Sequence, residues 1–436
     1  MLHKRNDGVI SLIETNKING ELMNKKEKLI NEYMLREYSR MLRGAEGYLK
    51  YPNIVPGSRA YETSLWDWDS LFTDVALTQL FEYNGVDVDI TEYRTGCILN
   101  FLANGEENGR LPIFITPVRV YPSAKNQSTN IHKPVLAQHI AFICENTSAG
   151  YDWIRPHFDR VEQFMDYYDR ECFHSCGLYF WLDDGAQGVD NDPCCFYRPA
   201  KSCGSILLNS LMYRELLAMS RISDALGRSE RSAAYREKAE KLAETINRLC
   251  WDERNGFYYS VDLNLLPVIP GAKRHAGAPR NWDTLIQKID VWSGLLPMWA
   301  GIASPERAER IVRENLTDQR TFGARYGIRS LSRLEQMYQI IPSGNPSCWL
   351  GPVWGLSNYM AFEAMVRYGF EAEARELAEK TVELLGMDIE ECGDMHEYYH
   401  PDTGAPVFNQ GFQSWNFLVI NMIAWLNGKE YIRLAD

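Results

Sequence analysis

Residues 205–217 read Ser-Ile-Leu-Leu-Asn-Ser-Leu-Met-Tyr-Arg-Glu-Leu-Leu, and their apolar side chains recur at spacings of three and four. That period predicts an amphipathic helix over 204–225. A second helix, with a charged and solvated face, is predicted over 229–250. Because only residues 226–228 separate the two helices, we expect them to form an antiparallel helix hairpin.

The same helical period recurs along the chain, and few segments alternate as a strand does. Short joints and long loops alternate between the predicted helices, so five hairpins form and the first and last helices are left to make a sixth pair. These pairs predict an all-α ring that carries every long loop on one face. The alternative, an open solenoid, lacks its regular repeat of about 34–47 residues. The predicted helices span 25–46, 69–83, 90–104, 134–146, 149–170, 204–225, 229–250, 284–301, 304–315, 352–369, 371–386 and 411–427.

Composition limits the partners. The 436 residues contain no linker-like segment, which favours a single domain over 1–436. A formal net charge of −12 makes nucleic acid an unfavourable partner. The N-terminal residues lack the apolar region of a signal peptide, and no apolar run reaches about 18 residues. We therefore expect a cytoplasmic protein with no membrane partner, whose oligomeric state is left open.

Half of the ten cysteines cluster between Cys172 and Cys203. A zinc site is one interpretation, but the spacing matches none of the paired Cys-x-x-Cys patterns of such sites. Reduced thiols in a cytoplasmic chain are the favoured alternative. No metal and no cofactor are predicted.

Acidic and aromatic residues concentrate in four segments of the long loops, 61–70, 181–193, 349–354 and 396–404. Hydrolysis of a glycoside usually needs two carboxyl groups, one protonated and one ionised. Flat rings and polar side chains then hold the sugar. The same residues also have plainer interpretations: an N-cap for Asp69, turns around Asp190 and at 401–404, and core packing for 349–354.

In order and spacing these segments resemble glycoside hydrolase family 63, and more distantly the trehalase-like toroids. The resemblance rests on Trp68-Asp69-Ser70, Gly188-Val-Asp-Asn-Asp-Pro193, Trp349-Leu-Gly-Pro-Val-Trp354, Glu397-Tyr-Tyr-His-Pro-Asp-Thr-Gly404 and Ser414-Trp415. It runs from about residue 58 to 426. Members of about this length include hydrolases of mannosylglycerate and glucosylglycerate.

The resemblance implies an (α/α)6 toroid that hydrolyses α-glycosides with inversion and without a metal. It implies Asp190 as the general acid and Glu397 as the general base. Inside the core of a ring, we expect burial and neighbouring acids to hold Asp190 protonated near neutral pH. The substrate is expected to be a small saccharide or glycoside, with a terminal α-glucosyl or α-mannosyl group. The residues expected to contact the sugar are Tyr61, Trp66, Trp68, Asp69, Gln138, Gly188, Trp349, Trp354 and Trp415.

The chain departs from the family pattern near the proposed site. Leu350 stands where an Arg is usual, Asp192 replaces Ser, and His400 replaces Asp. These changes leave the carboxyl pair intact and bear on substrate choice. A glycerate group would need a cationic partner, for which the loops offer Arg110, Arg119, Lys133, Arg325 and Arg329.

Two other classes of protein are alternatives. Sugar epimerases and related isomerases also use α/α toroids, with histidine as acid and base, and His132, His139, His396 and His400 are available here. A carbohydrate-binding protein without catalysis is the second alternative. Both are disfavoured by the five matched segments.

Overall fold

The computed structural model describes residues 23–122, 129–185, 187–196, 198–265, 282, 284–341 and 346–435. Twelve α-helices occur within these residues. They are α1 (23–37), α2 (Asp67–Asn84), α3 (Thr91–Ala103), α4 (Leu136–Asn146), α5 (Phe158–Glu171), α6 (Ile206–Ala225), α7 (Ser229–Leu249), α8 (Leu296–Trp299), α9 (Pro305–Arg310), α10 (Gly355–Arg367), α11 (Glu371–Cys392) and α12 (Val419–Leu426).

The even-numbered helices form a closed inner ring. Each contacts the next from α2 to α12, and α12 contacts α2 in turn. Odd-numbered helices pack outside, as the burial of one hairpin illustrates: α6 has 15 buried residues and α7 has only five. The predicted (α/α)6 toroid is confirmed, and the open solenoid is excluded.

The first and last helices make the predicted sixth pair. Tyr33 of α1 packs edge-on against Phe417, which precedes α12, with ring centroids 6.2 Å apart. Asn427, at the end of α12, donates a hydrogen bond of 3.0 Å to Glu27 of α1. These contacts join the two ends of the described chain into one ring.

Some helix boundaries differ from the predictions. The helix predicted over 149–170 begins only at Phe158, because turns and a 3-10 segment that contains Pro156 precede it. The helix predicted over 284–301 shrinks to α8 and the 3-10 segment Trp292–Leu295. Ser304 caps α9, accepting a hydrogen bond from the Arg307 N–H.

Short strands lie in the connections between helices, and none exceeds five residues in the described chain. They are β1 (Leu42–Arg43), β2 (Asn53–Ile54), β3 (Leu65–Trp66), β4 (Phe114–Thr116), β5 (Arg119–Tyr121), β6 (Cys203–Gly204), β7 (Trp251–Asp252), β8 (Phe257–Tyr258), β9 (Val261–Asp262), β10 (Leu285–Ile286), β11 (Gly323–Ala324), β12 (Gly327–Ile328), β13 (Val353–Trp354), β14 (His396–Tyr399) and β15 (Pro406–Gln410).

Two antiparallel sheets, β3–β4–β5 and β13–β14–β15, carry residues of the candidate site. Few of these strands could be read from the sequence, because a strand of two or three residues is too short to show an alternating pattern. None of the described helices combines the length and apolar character needed to cross a membrane.

Candidate active site

Two transitions from strand to helix bring aromatic and acidic side chains to the loop face. Trp66 ends β3 and holds the N-cap position of α2, without a side-chain cap. Trp354 ends β13 and holds the same position before α10. Asp69 is the third residue of α2, so the N-cap alternative for this carboxyl is wrong.

The two proposed catalytic carboxyls come from different loops. Glu397 lies on β14, the central strand of its sheet. Asp190 lies between α5 and α6, flanked by two left-handed residues, Gly188 (φ 84°) and Asn191 (φ 63°). A Cβ on Gly188 would lie 2.5 Å from Lys133 Cε. Only glycine therefore lets this loop approach the ring interior so closely.

These segments meet around a cavity of about 280 Å³. Segments 61–70, 181–193, 349–354 and 396–404 all contribute, together with Trp415, as expected for long loops that share one face of the ring. The described lining residues are Tyr61, Trp66, Trp68, Asp69, Ile113, Phe114, Gly188, Asp190, Ser347, Trp349, Trp354, Glu397, Phe412 and Trp415.

A chain of stacked rings forms the wall of the cavity. Trp349 stacks on Trp354 with centroids 4.0 Å apart, and Trp354 stacks on Tyr398 at 4.7 Å. Trp66 stacks on Phe114 at 4.4 Å. Trp354 is fully buried. It therefore packs in the core as well as lining the cavity, as the core-packing interpretation of 349–354 expects.

The carboxyls of the cavity are strongly influenced by burial. Burial raises the pKa of Glu397 to about 8; a hydrogen bond from Asn409 opposes the rise, and negative charge on Asp69 and Asp190 adds to it. Burial also raises the pKa of Asp69 to about 7, against the charge of Lys133. Asp190 is only partly buried. The burial expected for this carboxyl is found instead at Glu397 and Asp69.

Glu397 and Asp69 each have a polar partner. The Asn409 amide donates to Oε2 of Glu397 at 2.8 Å. Ser414 donates its hydroxyl to Oδ1 of Asp69 at 3.3 Å. Both partners stabilise the ionised form of the carboxyl that they contact.

Ten of the eleven predicted site residues line the cavity, and Gln138 does not. Its amide donates to the backbone oxygens of Pro134 and Leu211, at 2.8 and 3.1 Å. Gln138 therefore joins α4 to α6, and the structure does not bring it together with the other predicted site residues. A polar residue in the first turn of a helix can bond its neighbours as readily as a substrate, and its sequence does not distinguish the two.

Sequence reasoning missed four lining residues and the partner of Glu397. The four are Ile113, Phe114, Ser347 and Phe412. Phe412 could have been predicted, because it lies three residues before Trp415. Asn409 gave no signal, since its placement depends on the pairing of β14 with β15.

The basic residues considered as glycerate partners lie outside the described cavity lining. Lys133 is buried and bonds Asp67 at 2.8 Å, while Arg329 bonds Asp402 at 2.7 Å. Arg110 pairs with Glu106. Arg119 packs on the rings of Phe114 and Tyr121, and Arg325 packs on Tyr326.

The histidines of the epimerase alternative also lie outside the described lining. His139 contacts Asp74 at 3.2 Å, and His396 contacts Asp388 at 3.0 Å. Burial lowers the pKa of His132 to about 4. His400 accepts hydrogen bonds from backbone N–H groups of its own turn. None of these positions favours acid–base catalysis in the cavity.

Fold and site together define a helical toroid with an acidic, tryptophan-walled cavity. Residues 62–431 match the family described as the mannosylglycerate hydrolase MGH1-like glycoside hydrolase domain, and the chain belongs to this family.

Individual relatives are distant. The chain is 24% identical to the cytosolic neutral trehalase of Kluyveromyces lactis over 78% of its own length and 50% of that protein. It is 28% identical to the mannosylglycerate hydrolase of Rubrobacter radiotolerans over 46% of its own length and 39% of that protein. The chain thus spans half or less of these relatives.

Solved structures share the fold. The glycoside hydrolase family 63 mannosylglycerate hydrolase of Thermus thermophilus, in complex with Tris and D-glycerate, aligns with a TM-score of 0.68 and 20% identity, over 90% of this chain and 99% of that one. A neutral trehalase of Saccharomyces cerevisiae aligns with a TM-score of 0.56 and 16% identity, over 85% of this chain and 73% of that one.

Proposed function

We propose that this chain hydrolyses a terminal α-glycosidic bond in a small saccharide or glycoside, with inversion at the anomeric carbon. The observation that carries the proposal is the pair Asp190 and Glu397, which come from different loops and line one tryptophan-walled cavity. Two carboxyls on either side of a sugar ring are the usual machinery of this reaction. Family membership supports the same class of chemistry.

In this proposal Asp190 protonates the leaving oxygen, and Glu397 takes a proton from the attacking water. The active form then holds one proton on the pair, on Asp190. Because burial raises the pKa of Glu397 to about 8, the ionised form that acts as the base gains population as the pH rises toward and past that value. The hydrogen bond from Asn409 favours the ionised carboxylate and supports the base role.

The proposed substrate has a neutral leaving group. The described lining contains no lysine or arginine, and Leu350 removes the usual arginine from the segment beside Trp349. A carboxylate in the cavity would also meet the carboxyls of Asp69, Asp190 and Glu397. Trehalose, kojibiose and nigerose are therefore expected to release sugar faster than mannosylglycerate or glucosylglycerate, in a screen for released monosaccharide.

Replacing each carboxyl tests the mechanism. Glu397→Gln is expected to bind substrate and turn it over very slowly. Asp190→Asn is expected to recover partly on substrates whose leaving group needs no protonation. Asp192→Asn is the matched control, because Asp192 is buried two residues away and lies outside the described lining. Equal losses in Asp190→Asn and Asp192→Asn would contradict the assigned acid.

The same variants separate the other classes of protein. An epimerase would depend on histidine and would survive replacement of Asp190 or Glu397. A carbohydrate-binding protein would bind the sugars and release no product from any of them. The single domain over 1–436, the cytoplasmic location and chemistry without a metal or cofactor remain predictions.

A further inference from the structure

A group of potential metal ligands lies behind β14, away from the cavity. Consecutive side chains of a strand point to opposite faces, and Glu397 faces the cavity. His396 therefore points the other way, where it meets Asp388 near the end of α11. We propose that Asp388, Cys392 and His396 bind one Zn²⁺ ion, with water as the fourth ligand.

The end of α11 brings the three residues together. Asp388 and Cys392 are four positions apart, so they share one face of the helix. Gly393 then ends α11 in a left-handed conformation, φ 70°, and its N–H bonds the Ile389 oxygen. That cap turns the chain back, and one potential ligand atom from each of the three residues lies within 4.8 Å of the others.

The donor atoms suit zinc. Bonds of about 2.0–2.3 Å place tetrahedral ligand atoms roughly 3.3–3.8 Å apart. His396 Nδ1 already lies 3.0 Å from both oxygens of Asp388, so the thiol of exposed Cys392 makes most of the adjustment. A set of one oxygen, one nitrogen and one sulfur favours zinc over magnesium or calcium, which prefer oxygen ligands alone.

Outer hydrogen bonds hold the buried carboxylate in place. Oδ2 of Asp388 accepts from the His396 backbone N–H at 2.9 Å and from the Tyr399 hydroxyl at 2.8 Å. Oδ1 is then the oxygen that turns toward a metal. Such outer partners orient ligands in metal sites. A His396–Asp388 ion pair alone is the alternative that the experiment must separate.

The site is open to ions from solvent. Cys392 is exposed, whereas the side chain of Asp388 is fully buried. The negative charges of Glu391 and Asp394 lie close enough to interact with Cys392. An acidic surface of this kind attracts cations. When zinc binds, the thiol proton goes to solvent as the sulfur–zinc bond forms, and the imidazole proton moves to Nε2 to free Nδ1.

The test uses the full chain, stripped with EDTA and titrated with Zn²⁺ against a chromogenic chelator. The unmodified protein is expected to bind one equivalent. Cys392→Ser is expected to weaken binding by more than about tenfold, since losing even an outer partner of a ligand costs 10–100-fold. Cys176→Ser is the matched control, because Cys176 is the other cysteine that is not buried.

Cobalt gives a second readout. Co²⁺ is expected to produce a thiolate-to-cobalt charge-transfer band with the unmodified protein and Cys176→Ser, and no such band with Cys392→Ser. Three results would overturn the proposal. They are unchanged zinc binding in Cys392→Ser, an equal loss of zinc binding in Cys176→Ser, and no zinc binding by the unmodified protein at micromolar Zn²⁺. No readout involves a sugar, so this outcome is independent of the proposed hydrolysis.

Discussion

Asn409 donates a hydrogen bond of 2.8 Å from its side-chain amide to Oε2 of Glu397. The same nitrogen lies 3.1 Å from the hydroxyl oxygen of Ser58. Asn409 adopts a left-handed backbone conformation, with φ 55°, which is uncommon for a residue other than glycine. Such conformations concentrate at functional sites, and here the conformation directs the amide at the proposed base.

Asn409→Gly is the variant that tests this contact, because glycine keeps the left-handed backbone and removes only the amide. A hydrogen bond to a charged group contributes about 1.5–3 kcal/mol, so we expect kcat to fall by about 10–100-fold. Steady-state kinetics on the best substrate of the screen measure this change in kcat. Gln410→Ala, which removes the next amide on β15, is the control; an equal loss there would show that β15 matters only as a structural element.

The aromatic wall is expected to divide into binding and structural members. Trp66 is partly exposed and stacks on Phe114, so Trp66→Ala is expected to raise KM several-fold with little change in Tm. Trp354 is fully buried and stacks on Trp349, so Trp354→Ala is expected to cost about 3–5 kcal/mol of stability. Thermal melts and KM values for both variants test the division. A larger loss of Tm in Trp66→Ala than in Trp354→Ala would contradict the division into a binding residue and a structural residue.

Asp192 is expected to make stability depend on pH. Burial raises the pKa of Asp192 from 3.8 to about 6. The folded state thus holds this proton more tightly than the unfolded state, and the stabilisation present below about pH 4 is lost as pH rises through 6. The loss reaches about 3 kcal/mol. In Asp192→Asn, where Oδ1 can still accept from the Cys194 N–H, that loss disappears.

Melting curves at pH 4 and pH 8 measure the effect. The unmodified protein is expected to lose more stability between the two values than Asp192→Asn does. The same difference between the two proteins at both pH values would mean that Asp192 does not titrate in this range.

The ring was predictable because it depends on features that are local in sequence. The helix period of 205–217 and the short joint 226–228 fix a hairpin without any distant contact. Boundaries were harder to predict, because they depend on local backbone details such as Pro156 before α5 and Gly393 after α11.

The site was predictable where residue type carried the chemistry, as with Trp68, Asp69 and Glu397. It was not predictable where tertiary pairing decided the contact. Asn409 reaches Glu397 only because β15 pairs with β14. The position of Gln138 outside the lining was not predictable for the same reason, because its partner Leu211 is 73 residues away.

The stereochemistry of the reaction tests the central claim most directly. Inverting enzymes leave room for water between their carboxyls, roughly 6.5–9.5 Å, whereas retaining enzymes bring them to about 5–5.5 Å. Asp190 lies in the loop that leads into α6, and Glu397 lies in the loop that leads into α12. These two helices are opposite each other in the inner ring, which suits attack from the opposite side of the sugar ring. Proton NMR of the first-formed product should show the β-anomer released from an α-glycoside. Initial appearance of the α-anomer would contradict the assignment of Glu397 as the base.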